Sequence, residues 1–75
     1  MDDKVKLMID TAFSTDGIWD DVNDTLMDNI KQVLPSCFIK GTKEYEKVNG
    51  YEKLPWKVKH HLDIRMEMYN DLKRL

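Results

Sequence analysis

Apolar residues recur along this chain at helical intervals. Val5, Met8, Ile9, Ala12 and Phe13 fall at i, i+3, i+4, i+7 and i+8, the spacing that gathers side chains into one stripe of an α-helix. Asp2 and Asp3 come just before, at the end where the peptide dipoles favour negative charge, so a first helix is expected over about residues 3–13. Ser14-Thr15-Asp16-Gly17 then offers capping and turn residues. The helical period resumes at Ile18, Trp19, Val22, Leu26, Ile30, Val33 and Leu34. Proline disfavours helical geometry in the residue before it, so Pro35 closes a second expected helix at 18–34.

The stretch 36–54 is less regular. SCFIKG reads as a short helical turn closed by Gly41, and TKEYEKVNG as a short helix capped by Thr42 and ended by Asn49-Gly50. The same Asn-Gly pair is also a good hairpin turn, which leaves a second conformation open. Leu54-Pro55 introduces the last helix, with proline in its first turn. Val58, Leu62, Met66, Tyr69 and Leu72 form its main stripe, with Ile64, Met68 and Leu75 beside it. Trp56 points away from that stripe, so Trp56, Ile64, Met68 and Leu75 form a candidate second interface, for a neighbour or a second copy of the chain. The expected fold is all-α: one domain over residues 1–75, a small compact bundle of three main helices with an irregular or helical middle segment. The short connection at 14–17 favours antiparallel neighbours.

Length and composition narrow the class. A chain of 75 residues buries only about 60% of the surface that it exposes unfolded, so its stability margin is small. Cys37 is the only cysteine, which rules out an internal disulfide and suits a reducing compartment. The N-terminal MDDKVKLMIDTAF is acidic and amphipathic, and no apolar run approaches the roughly 18 residues that span a bilayer. A soluble, cytoplasmic protein is expected.

Charge is unevenly spread. Residues 1–34 carry eight aspartates against three lysines, a balance of −5, and residues 35–75 carry nine Lys or Arg against six acids, a balance of +3. Asp16, Asp20, Asp24 and Asp28 recur every four residues, with Asp21 beside them. On the expected second helix they fill the face opposite the apolar stripe. Like charges at i, i+4 cost a few tenths of a kcal/mol per pair, so the ladder is a mild burden to its own helix. Two readings stand: a solvated face, or a surface for a basic partner.

Familiar catalytic and metal motifs fail on spacing. Placing Gly17 at position six of a calcium loop puts Ala12 at position one and Asn23 at position twelve, where acidic ligands belong. His60 and His61 are adjacent, so on a helix they point about 100° apart and cannot readily share one ion. His61 is expected to be partly buried and His60 solvated. Gly17, Gly41 and Gly50 are isolated, so no phosphate loop forms, and no orienting group marks Cys37 as a nucleophile. A non-enzymatic protein without metal or cofactor is expected. The basic residues Lys53, Lys57, Lys59, Arg65, Lys73 and Arg74, with Trp56 and Tyr69 as stacking rings, support an alternative role as a nucleic-acid-associated regulator using the last helix. A sequence pI near 5.6 and interspersed Asp63, Glu67 and Asp71 argue against direct nucleic-acid binding.

In its size, its lack of a catalytic motif and its run of Asp16, Asp20, Asp21, Asp24 and Asp28, the chain resembles the small inhibitors that bacteriophages make against host machinery. Some of those imitate DNA, presenting carboxylates where phosphates would lie. The resemblance implies an inhibitor or adaptor that blocks a basic, DNA-binding surface of a host replication or nucleic-acid-processing protein such as a sliding clamp. Successive i+4 carboxylates rise about 6 Å along a helix, close to the phosphate spacing of one DNA strand at about 7 Å. The chain departs from that pattern in its basic residues 35–75. A homodimer joining acidic to basic halves is the other association that the charges allow.

Overall fold

The computed structural model describes residues 3–15 and 17–74. Three helices carry the fold: α1 at Asp3–Ser14, α2 at Asp24–Lys40 and α3 at Trp56–Lys73, with single 3-10 turns at Glu44–Lys47 and Tyr51–Lys53 between the last two. No strand occurs among the described residues. The all-α bundle expected from the apolar period is therefore the fold observed, and its Cα radius of gyration of 11.7 Å matches the about 11 Å of a well-packed chain of this length. No helix among the described residues is long and apolar enough to cross a membrane.

The core is built from most of the predicted stripes, with Cys37 and Phe38 added beyond the expected end of the second helix and Leu72 left outside. Val5 and Met8 of α1 pack with Ile30, Leu34, Cys37 and Phe38 of α2 and Val58, Leu62, Met66 and Tyr69 of α3 in one buried cluster, and Ala12 of α1 is buried as well. Each large apolar side chain taken fully out of water stabilises the fold by about 1.5–3 kcal/mol. Lys4, Leu7 and Met8 near the start of α1 share a recess with Leu72, while Ala12 near its end meets His61, so α1 and α3 run antiparallel.

Two boundaries differ from the sequence expectation. The second helix begins at Asp24 rather than at residue 18, because Asn23 caps it, its side-chain oxygen accepting from Thr25 N at 2.8 Å and Leu26 N at 3.3 Å. Residues 17–22 form a turn instead. Gly17 opens it at φ +75°, and Trp19 folds back over α1, stacking on Phe13 at 4.5 Å between ring centroids. At its other end the helix runs through Pro35 to Lys40. Proline there removes the hydrogen bond to the Lys31 carbonyl, at a cost near 3 kcal/mol. Continuing buries Cys37 and Phe38, whose ring meets Tyr69 edge-on at 5.1 Å, and this burial offsets the cost.

Gly41, expected to close only a short separate turn, instead ends α2. Its φ of +72° is the left-handed cap geometry, and its N–H donates to Cys37 O at 2.8 Å. The next stretch resolves into two separate 3-10 turns rather than one helix or a hairpin. Thr42 is not the cap, for Lys43 takes that position and the Thr42 hydroxyl finds no partner among the described residues. Tyr45 pins the segment down: it is fully buried, and its hydroxyl donates to the Asp63 carboxylate on α3.

Candidate binding surfaces

The capping of α2 by Asn23 decides how the aspartates are presented. Asp24 and Asp28 lie on the helix one turn apart, whereas Asp20 and Asp21 belong to the turn before it. Asp16 lies outside the described residues. The expected ladder along one helix is thus broken at Asn23, and the match to the phosphate spacing of DNA survives for the Asp24–Asp28 pair alone. What remains is a cluster: Asp20, Asp21, Asp24 and Asp28 are all exposed, and their carboxylates make no ion pair or hydrogen bond with the described residues.

The basic residues of the second half behave differently. Lys40 reaches Glu44 at 3.9 Å, Lys43 reaches Asp63 at 3.8 Å and Glu67 at 4.0 Å, and Arg74 reaches Asp71 at 3.8 Å. Lys73 donates to the carbonyls of Phe38 and, at 2.9 Å, Ile39, satisfying the free end of α2 while lying over the Tyr69 ring. Lys59 donates to Glu52 O at 3.2 Å and sits over Tyr51. Arg65 is half-buried. Of the six residues singled out for nucleic acid, Lys53 and Lys57 alone are both exposed and without an ion pair or hydrogen bond among the described residues. Tyr69 is buried and so is not a stacking ring for a ligand.

Apolar exposure is concentrated on α3 and its neighbour. Trp56 is 78% exposed, and Ile64, Met68 and Leu72 form an exposed strip at i, i+4 and i+8. Leu72, expected in the core stripe, belongs to this flank. Leu75 lies outside the described residues. Leu7 on α1, which the periodicity does not flag, is exposed and shares with Lys4, Met8 and Leu72 a recess of about 280 Å³. Ile39 is exposed as well. The signal that finds Leu7 is its position next to the lysine-flanked edge of the α1 stripe, visible only once α3 is known to pack there.

The remaining chemistry-bearing groups are held inside. Cys37 is buried, and burial pushes its thiol up, against formation of a thiolate. Burial, with Asp63 as acceptor, holds the Tyr45 phenol well above its ordinary range, and burial pushes Tyr51 up to about 12. No group of three His, Cys, Asp or Glu among the described residues is placed to hold a metal ion. His60 is exposed, while His61 is buried and its Nε2 donates to Ala12 O at 3.0 Å.

Compared with models of known families, with curated proteins and with solved structures, the chain matches none.

Proposed function

We propose that this chain is a small non-catalytic protein-binding module, an inhibitor or adaptor that covers a basic surface on a cellular protein with Asp20, Asp21, Asp24 and Asp28. The observation that carries this reading is the contrast in charge use: these four carboxylates are exposed without partners, while most cations of the second half are committed within the chain. Exposed carboxylates of this kind cost little to keep and attract a basic surface over a range set by salt, about 8 Å at physiological ionic strength. A DNA-binding channel of a replication or nucleic-acid-processing protein is a surface of that chemistry. The buried single thiol suits work in a reducing cytoplasm.

The test compares wild type with an Asp20, Asp21, Asp24, Asp28→Asn variant as bait in a nuclease-treated lysate at low and high salt. The expected result is a partner retained by wild type alone and released by salt, followed by the same ordering with the purified partner. Retention of the same proteins by both baits overturns the reading. So does retention of purified DNA or RNA by wild type at low salt, which would move the function to Trp56, Lys53 and Lys57.

A further inference from the structure

His61 is a buried titratable side chain that the binding surface does not use. It lies at the centre of a small junction. The Ala12 carbonyl, in the last turn of α1 where helical partners run out, accepts from Trp19 Nε1 at 2.8 Å and from His61 Nε2 at 3.0 Å. Both donors are only 8% exposed. One oxygen thus joins α1, the 17–22 turn and α3. We propose that His61 is an acid-sensitive latch on the turn that carries Asp20 and Asp21: neutral, it ties the turn and α1 to α3, and protonated, it releases them.

The chemistry follows from the donor inventory. A carbonyl only accepts, so Nε2 carries the hydrogen and the neutral ring leaves Nδ1 unprotonated. Nδ1 has no hydrogen-bond partner among the described residues. Adding a proton there places a second donor and a full charge on a side chain of which only 8% is open to water. The ring meets the Ala12 carbonyl of α1, which the Trp19 indole of the turn also reaches, and the charged group that acts on it among the described residues is Arg65, one turn further along α3, with the unfavourable sign. Burial is the main cause holding the imidazolium form down, Arg65 adds to it, and the Ala12 carbonyl opposes it.

The direction is then fixed. In the open form the ring meets water and recovers an ordinary pKa near 6.5, so the closed form is fully favoured above about pH 6.5 and loses that advantage as pH falls toward the closed-state value. For one proton the closed-to-open ratio falls by up to about tenfold per pH unit. On the proposed role of the aspartates, opening frees Asp20 and Asp21 from the geometry in which they face a partner, so this regulation rests on that reading.

The test uses the free full chain, followed by NMR from pH 7.5 to 5.0 through the Trp19 indole N–H and the amides of residues 17–22. Wild type is expected to show one shared transition with a midpoint below about 6.5. His61→Gln retains an amide donor for the Ala12 carbonyl without a titrating ring, and should be flat. His60→Gln should behave as wild type. Arg65→Gln removes the like charge and should raise the midpoint, which keeps the proposal testable if His61→Gln does not fold. A flat wild type, a transition that persists in His61→Gln or one that vanishes in His60→Gln overturns the latch, as does an Arg65→Gln midpoint that stays put or falls. Because the measurement needs no partner, failure of the latch and failure of the binding reading show up in separate experiments.

Discussion

The four aspartates of residues 20–28 and the nine cations of residues 40–74 are used in opposite ways. Several of the cations close the structure. Lys73 ties off the end of α2, Lys43 meets two carboxylates of α3, and Lys59 bridges to the preceding 3-10 turn. The aspartates close nothing among the described residues. Charge count alone, as in the −5 and +3 balance, misses this, because an ion pair or a carbonyl cap withdraws a charge from the field offered to a partner. A region's available charge is set by what its neighbours have already taken.

The comparison is broken hardest through the core that holds the basic half. Phe38 is 1% exposed and meets Tyr69. Phe38→Ala should destabilise the fold by about 3–5 kcal/mol in urea unfolding. Lys73 bonds the main-chain carbonyls of Phe38 and Ile39 and lies over Tyr69, so it should stay in place in the folded alanine variant, and a loss below about 1 kcal/mol would show that the ring does not anchor the end of α2. The next effect belongs to the acidic turn. Trp19→Phe keeps a ring on Phe13 but removes the donor to Ala12, for an expected loss of about 1–3 kcal/mol. Proteolysis should then begin within residues 17–22 before the bundle opens, and cleavage elsewhere first would show that the indole bond does not hold the turn. The smallest effect sharpens the boundary between turn and helix: Asn23→Ala should cost about 1 kcal/mol, with exchange of the Thr25 and Leu26 amides rising more than that of any amide in α3. Equal change in α3 would mean that Asn23 acts on the whole fold rather than on the start of α2.

Much of this fold is legible in the chain. The stripes Val5–Met8–Ala12 and Val58–Leu62–Met66–Tyr69 name two faces of the core, and Gly41 and Pro55 mark ends that the structure keeps. What escaped is tertiary. Ile18, Trp19 and Val22 fit a helical period because a turn folded over Phe13 buries the same side chains as a helix would. Asn23 is a strong capping residue hidden inside that false period. Pro35 ends a helix only when nothing beyond it needs burial, and Cys37 and Phe38 do. The acidic surface was legible as composition and misplaced as geometry, since one cap converts a ladder into a turn and a pair. The exposed flank on α3 was half legible: Ile64, Met68 and Trp56 could be read from the wheel, but Leu72 and Leu7 depend on where α1 lies.

That flank gives α3 two methionines in unlike surroundings. Met66 is 1% exposed and Met68 is 46% exposed. Sulfur chemistry separates them, because oxidation to the sulfoxide follows access and turns a flexible apolar side chain polar. A mild oxidant therefore acts on this helix as a selective reagent: it converts the outward strip between Ile64 and Leu72 to a polar one while the packed sulfur two residues away keeps the bundle closed.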